Sequence, residues 1–134
     1  MIFVQIMPRS SNAHAYVNAG FLALVDVENA FTITQKPTVV FGGIREDFVH
    51  ANGTEEFLIG RSMSDHDMFE EVGSFCNPFK KMTLQALVVL ATELQPAEDP
   101  VLSSATYRRQ LALGLFYKVI RSMILTSPCK TLIL

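Results

Sequence analysis

The stretch GFLALVDVENAFTITQKPTVVFGGI, residues 20–44, decides the fold. Its first nine residues follow a period of two, which places alternate side chains on opposite faces of a β-strand. The pair Glu28-Asn29 interrupts this pattern, and from Phe31 onward β-branched and aromatic residues resume it. The two runs predict a hairpin with long antiparallel arms.

Two features shape the second arm of this hairpin. Pro37 has no amide hydrogen for a β-ladder, so we expect an edge position or a bulge there. The pair Gly42-Gly43 ends the arm, because glycine permits a sharp turn or a close approach of two backbones.

Helical periods follow the hairpin. We predict a first short helix capped by Asn52 or Thr54 and ended by Gly60, and a second helix at residues 65–75 after the cap Ser64.

The third predicted helix begins at Thr83 and ends before Pro96, and the fourth is capped by Ser103 or Ser104. Helical spacing predicts which side chains of these two helices face the core. They are Leu84, Leu87, Val88, Ala91 and Leu94 in the third helix and Tyr107, Leu111, Leu115, Phe116, Val119 and Ile120 in the fourth. The cations Arg108, Arg109, Lys118 and Arg121 are expected in solvent.

Strands followed by helices predict an α+β fold, in which three to four helices cover one face of an antiparallel sheet. The length of 134 residues fits one domain. Hydrophobic residues make up 49% of the chain and charged residues 18%, yet no window has the 18 uninterrupted apolar residues typical of a membrane span. We therefore expect no membrane partner and attribute the apolar excess to contact with protein on the free face of the sheet.

Charge and cysteine content exclude further classes. The net charge of −2 and the scattered basic residues give no electrostatic surface for nucleic acid. Cys76 and Cys129 lack both zinc-site spacing and disulfide density, which indicates free thiols in a reducing, cytoplasmic setting. The start of the chain has no export signal.

No group of residues has the spacing of a catalytic or metal site. Asp65, His66 and Asp67 are adjacent on a predicted helix, so their side chains point in different directions. The same holds for Glu70 and Glu71. Cys76 stands at the end of this helix, where the negative end of the helix dipole would raise the pKa of its thiol. His14 and His50 become acid–base candidates only if the fold brings them to a ligand. The polar turn RSSN, residues 9–12, has two interpretations: a capping turn before a strand, or a binding turn whose arginine supplies one fixed positive charge.

Three blocks of sequence resemble the end of the flavin domain in the aldehyde oxidase and xanthine dehydrogenase family, the molybdenum hydroxylases. They are MPRSSNAHAYVNAGF, KPTVVFGGIREDFVHANGTEEFLIGR and DPVLSSATYRRQLALGLFYK, in the family's order. The strongest matches are Arg9-x-x-Asn12-Ala13, Phe41-Gly42-Gly43 and Tyr107-Arg108, and the chain looks most similar to insect aldehyde oxidases.

The resemblance implies a fold like the CO dehydrogenase flavoprotein C-terminal domain. Residues 1–121 would be the C-terminal lobe of a flavin domain, and residues 122–134 would be a divergent, truncated tail. The parent enzyme would oxidise aldehydes at molybdenum and pass electrons through iron-sulfur clusters to FAD. Its partners would be the upstream FAD-binding lobe, the molybdopterin domain and a second copy in a homodimer.

The family's pocket also implies the site residues. The segment matching Gln5 to Asn12 borders the isoalloxazine, so Arg9, Asn12 and Gln5 would form one edge of the FAD pocket. The family commonly has lysine at Gln5, and its NAD-using members have acids near Asn12, so the neutral residues here imply an oxidase that reduces dioxygen. The chain would be inactive alone, with no catalytic or metal residue of its own. The alternative is a free-standing interaction module with the same fold.

Overall fold

The computed structural model describes residues 1–8, 14–29, 31–62, 78–98 and 103–125. In these ranges the chain forms six strands and three helices. They are β1 (Ile2–Ile6), β2 (Val17–Leu22), β3 (Val25–Asp26), β4 (Thr32–Ile33), β5 (Thr38–Gly42), β6 (Val49–His50), α1 (Asn52–Leu58), α2 (Pro78–Glu93) and α3 (Ala105–Leu125).

The predicted long hairpin is confirmed as the centre of the sheet. β2 and β5 pair antiparallel with Ala19 opposite Phe41, and β3 pairs with β4 to extend the same hairpin as a small second sheet. The four-stranded sheet has the order β1-β2-β5-β6. β5 is therefore a central strand, and the predicted edge position for Pro37 is wrong: this buried proline stands just before β5, where no ladder hydrogen bond is required.

β1 is a strand that the sequence reasoning did not predict. Its side chains alternate, with Ile2, Val4 and Ile6 half-buried toward the core and Phe3 and Gln5 exposed on the other face. β1 pairs along its whole length with β2, which begins earlier than predicted. β6, which pairs with β5, was not predicted as a strand either, so the four-stranded sheet has two strands more than the predicted hairpin.

The core lies between the sheet and the helices. Phe21 of β2 meets Phe41 of β5 edge to face at 5.8 Å between ring centroids and meets Phe116 of α3 at 6.1 Å. Each such aromatic side chain contributes about 1.5–3 kcal/mol when fully buried. This cluster fixes α3 across the centre of the hairpin.

The cap of α1 differs from the prediction. Neither Asn52 nor Thr54 caps the helix with its own side chain; instead the Glu93 carboxylate at the end of α2 accepts the amide hydrogens of Gly53 at 2.6 Å and Thr54 at 2.9 Å. A negative side chain suits the positive end of the helix dipole. Gly60 follows the helix end with φ +70°, in agreement with the predicted stop.

α2 begins at Pro78 rather than at Thr83, which lies buried inside the helix. Its buried apolar residues are Met82, Ala86 and Leu90, and Leu94 is buried just after the helix ends. Of the predicted stripe, Leu84 and Val88 are instead more than half exposed. The run from 84 to 91 is apolar on nearly every side, so its period alone cannot select the buried face.

α3 confirms most of its predicted stripe, because Leu115, Phe116, Val119 and Ile120 are buried. Two neighbours exchange their predicted roles: Tyr107 is 48% exposed, whereas Arg108 is only 2% exposed. The predicted exposure of Lys118 and Arg121 is confirmed, and Arg109 is half-buried with its guanidinium donating to the Ala91 carbonyl.

The α+β fold class is confirmed, with three helices on one face of an antiparallel sheet in the described ranges. The helix predicted at residues 65–75 lies outside the described residues, as does most of the segment predicted as a divergent tail. None of the helices described has both the length and the apolar character to cross a membrane.

Candidate functional site

Two of the short family motifs, Phe41-Gly42-Gly43 and Tyr107-Arg108, meet at one corner of the structure, beside the two ends of the connection that carries the third motif. The connection between β1 and β2 starts after Ile6 and ends at Tyr16, the Gly42-Gly43 turn follows β5, and Tyr107-Arg108 lies in the first turn of α3. We call Ile6, Tyr16, Gly43, Tyr107 and Arg108 the motif corner. Residues distant in sequence are thus adjacent in the fold.

The base of the β1–β2 connection is closed by backbone contacts. The Tyr16 amide donates to the Ile6 carbonyl at 2.8 Å, which continues the ladder by one residue beyond β2. Gly43 has φ +81°, and a Cβ there would overlap the Tyr16 carbonyl oxygen. Glycine is required at this position for both reasons, since other residues disfavour that φ and would push the connection away.

Arg108 fastens this corner to the helices. Its guanidinium Nη1 donates to the Gly43 carbonyl at 2.6 Å, its Nε donates to the Ser103 carbonyl at 3.0 Å, and its Nη2 donates to the Ala97 carbonyl. A buried cation is tolerated when its donors find acceptors, and here the acceptors are backbone carbonyls. Arg108 therefore holds the glycine turn, the α2–α3 connection and the start of α3 in one arrangement.

Tyr107 and Tyr16 add an aromatic contact at the surface of the corner. Their rings meet edge to face with centroids 6.2 Å apart and an interplanar angle of 80°. Pairs of this geometry contribute about 0.5–1.5 kcal/mol beyond the buried area. Tyr107 thus contacts the base of the β1–β2 connection although its ring is half exposed.

A polar row crosses the uncovered face of the sheet beside the corner. Gln5 of β1 stands opposite Asn18 of β2, and Asn18 stands opposite Gly42 of β5. The Asn18 Oδ1 atom is buried and has no hydrogen-bond partner among the described residues. A Cβ at Gly42 would overlap this oxygen, so the glycine makes room for the Asn18 carboxamide.

The predicted site residues are only partly placed by the structure. Gln5 is exposed on the outer face, one strand from Asn18. Arg9 and Asn12 lie outside the described residues, on the connection whose two ends the motif corner anchors. Their role at an FAD pocket stays a prediction.

The other candidates do not converge on this corner. His14 is exposed, and the His50 Nδ1 atom lies 3.6 Å from the buried Glu55 carboxylate, which also accepts the Val39 amide hydrogen at 2.8 Å. His50 and Glu55 thus join β6, β5 and α1. The acidic and cysteine candidates between residues 65 and 76, and Cys129, lie outside the described residues.

Sequence reasoning missed two residues of the site. Arg108 lies at helical spacing from the buried Ala112, Leu115 and Val119, a signal that could have predicted its burial. Asn18 had a weaker signal, since a polar residue in a strand is ordinary on a solvated face.

The described residues of the corner and the polar row carry polar contact groups rather than a metal-binding cluster. Among the described residues, no three His, Cys, Asp or Glu side chains are grouped as a metal ion requires. The corner and the polar row offer carboxamides, glycine backbone and aromatic surface, which suit the edge of a planar polar group.

A family of known domains and several solved structures match this chain. The family described as the CO dehydrogenase flavoprotein C-terminal domain matches residues 2–123. The chain belongs to this family. The predicted resemblance to the C-terminal lobe of a flavin domain is therefore confirmed at the level of the domain.

Solved structures share the fold at low sequence identity. CO dehydrogenase from Oligotropha carboxidovorans aligns with TM-score 0.62 and 13% identity over 87% of this chain and 33% of the solved chain. CO dehydrogenase from Hydrogenophaga pseudoflava aligns with TM-score 0.60 and 14% identity over 87% and 33%. Quinoline 2-oxidoreductase from Pseudomonas putida 86 aligns with TM-score 0.60 and 19% identity over 90% and 35%.

The chain spans about a third of the length of these solved chains. No curated protein sequence is similar enough to the chain to count as a relative.

Proposed function

We propose that this chain supplies one side of the FAD pocket in a molybdenum hydroxylase, and that it is not catalytic alone. The motif corner carries this proposal, because it brings two family motifs, at Gly43 and at Tyr107-Arg108, to the ends of the connection that carries the third. Arg108 and Gly43 fix the turn, the turn supports Tyr16, and Tyr16 ends the connection that holds Arg9 and Asn12. The contacts of the motif corner would thus position this connection.

The residues around the corner fit the polar edge of a flavin. The Asn18 Oδ1 atom is a buried acceptor without a described partner, and Gln5 beside it offers both a donor and an acceptor. Arg9 would add a fixed positive charge, and Asn12 would add a neutral carboxamide. FAD, when bound, supplies the redox chemistry, whereas the protein supplies orientation and electrostatics.

The parent enzyme is proposed to be an aldehyde oxidase. The support is the sequence resemblance together with Gln5 and Asn12, which replace the lysine and the acids found in other members of the family. The parent would carry iron-sulfur clusters and molybdopterin in other domains, pass electrons from FAD to dioxygen, and form a cytoplasmic homodimer. This chain would contact the FAD-binding lobe directly.

A second candidate is a free-standing interaction module. The uncovered face of the sheet favours it, because Phe3, Leu22 and Phe48 are each more than half exposed there. Exposed apolar surface of this kind marks contact sites. A cooperatively unfolding monomer that binds no FAD in either the presence or the absence of a flavin lobe would support this candidate.

The test is flavin retention in a protein that joins this chain to the FAD-binding lobe proposed to be its partner. We expect Arg9→Ala to weaken FAD binding by about tenfold, the effect of losing one charge-assisted contact. The matched control is Arg121→Ala, which removes another arginine side chain, one that is exposed roughly 20 Å along α3 from Tyr107. Equal FAD affinity in the two variants would contradict the proposed role of Arg9.

A further inference from the structure

The outer edge of β1 is open in the described part of the structure. β1 is the first strand in the order β1-β2-β5-β6, and its hydrogen bonds run to β2 on one side. No described strand pairs with its other side. An edge of this kind presents unpaired backbone donors and acceptors to any chain that can add a strand.

This edge lacks the usual protection against strand addition. Residues 1–8, MIFVQIMP, contain no charged side chain, and β1 itself contains no proline. Natural edge strands are commonly protected by lysine, proline or a bulge. Here the side chains that point away from the core include Phe3, which is 61% exposed.

We propose that β1 pairs with β1 of a second copy of this chain, in antiparallel orientation about a two-fold axis at Val4. Residues directly opposite in an antiparallel pair lie on the same face of a sheet. In this register Ile2 faces the partner's Ile6, and Val4 faces the partner's Val4. The half-buried row of each copy then continues across the junction, and the two sheets become one.

A second copy fits this edge because the strand is close to a palindrome. Its burial alternates symmetrically about Val4, with Ile2 and Ile6 at the two ends and Phe3 and Gln5 between them. A contact about a two-fold axis uses the same surface on both copies, so this surface must be complementary to itself. The absence of charge in residues 1–8 also means that identical side chains do not repel across the axis.

The decisive experiment compares two variants that differ only in the sign of one charge. In the proposed register, residue 3 of one copy faces residue 5 of the other, twice in each dimer. Phe3→Lys with Gln5→Lys places like charges opposite each other, whereas Phe3→Lys with Gln5→Glu places opposite charges there. We expect sedimentation equilibrium to show a dimer for the wild-type chain, with a mass of twice 14.9 kDa.

We expect the double-lysine variant to dimerise about tenfold more weakly than the lysine–glutamate variant. Phe48→Lys is the control, since it places the same charge at a similarly exposed phenylalanine beside β6 and should leave the dimer unchanged. A wild-type chain that stays monomeric over the whole concentration series, or equal dissociation of the two double variants, would overturn the proposal.

Disulfide trapping tests the register separately, in a chain with Cys76 and Cys129 replaced by serine. Val4→Cys should cross-link readily under mild oxidation, because the two Cβ atoms would be about 4.5–5.5 Å apart. Ile2→Cys should not cross-link, since its symmetry mate would lie four residues away, roughly 13 Å along the strand. Equal cross-linking of the two variants would exclude an axis at Val4.

Discussion

Replacing Arg108 by methionine tests how the motif corner is held together. The side chain makes three good hydrogen bonds to the carbonyls of Gly43, Ser103 and Ala97 and a longer one of 3.5 Å to Ile44. Methionine keeps much of the aliphatic packing but leaves these buried acceptors without donors. The variant therefore isolates the contribution of the guanidinium.

The expected loss follows from these contacts. Hydrogen bonds to a charged group contribute about 1.5 kcal/mol each at the low end of their range, so three of them give roughly 4.5 kcal/mol. With an m-value of about 2 kcal/mol/M, the urea midpoint should fall by about 2 M.

The assay is urea unfolding of the 134-residue chain, followed by circular dichroism. Arg121→Met is the control, and it should change the free energy of unfolding by less than about 0.5 kcal/mol because Arg121 is exposed. If Arg108→Met leaves no folded protein, Arg108→Lys provides the comparison, since one ammonium reaches fewer carbonyls and should lose about half as much. An Arg108→Met midpoint equal to that of Arg121→Met would refute the structural role of this side chain.

Two further predictions concern the free energy of unfolding. Gly43→Ala should cost about 2–4 kcal/mol because it combines a positive φ with a steric overlap, whereas Gly60→Ala, with a positive φ and open space, should cost about 1–2 kcal/mol. Equal losses in urea unfolding would show that the overlap at Gly43 relaxes freely. Glu93→Ala should cost about 2 kcal/mol, since two backbone donors and one hydroxyl of α1 lose their acceptor, while Glu56→Ala, at an exposed residue, should cost less than about 0.5 kcal/mol. If the amides of α1 were equally protected from hydrogen exchange in both variants, the capping role of Glu93 would be contradicted.

The hairpin was predictable because its signals are local. Alternation between residues 20 and 44 and the glycine pair are read from neighbours in the chain, and the structure confirms both. β1 was missed because a five-residue apolar run at the start of a chain has no turn signal before it. Its alternation becomes meaningful only beside β2.

The buried faces of the helices show where sequence reasoning ends. In α2, Leu84 and Val88 are as apolar as Ala86 and Leu90, so the sequence does not show which pair is buried. Ala86 and Leu90 are buried because α2 packs against α1 and α3 on their side. Arg108 is buried because the carbonyls that accept its hydrogen bonds come from residues up to 65 positions away. The helical spacing of Arg108 indicates the buried side of α3, but no local pattern identifies these acceptors.

The candidate site was predictable in outline only. The family motifs were read from sequence, and the structure brings their described parts to one corner. Asn18 required the register of two strand pairs before its position between Gln5 and Gly42 could be seen.

The most direct test of the account measures bound FAD per polypeptide in two preparations: the purified 134-residue chain, and the same chain co-expressed with the FAD-binding lobe proposed to be its partner. The account predicts negligible FAD in the first preparation and about one FAD per pair of lobes in the second. Stable FAD binding by the chain alone, or a joined protein that retains no FAD, would contradict the claim that this lobe is one side of a shared pocket.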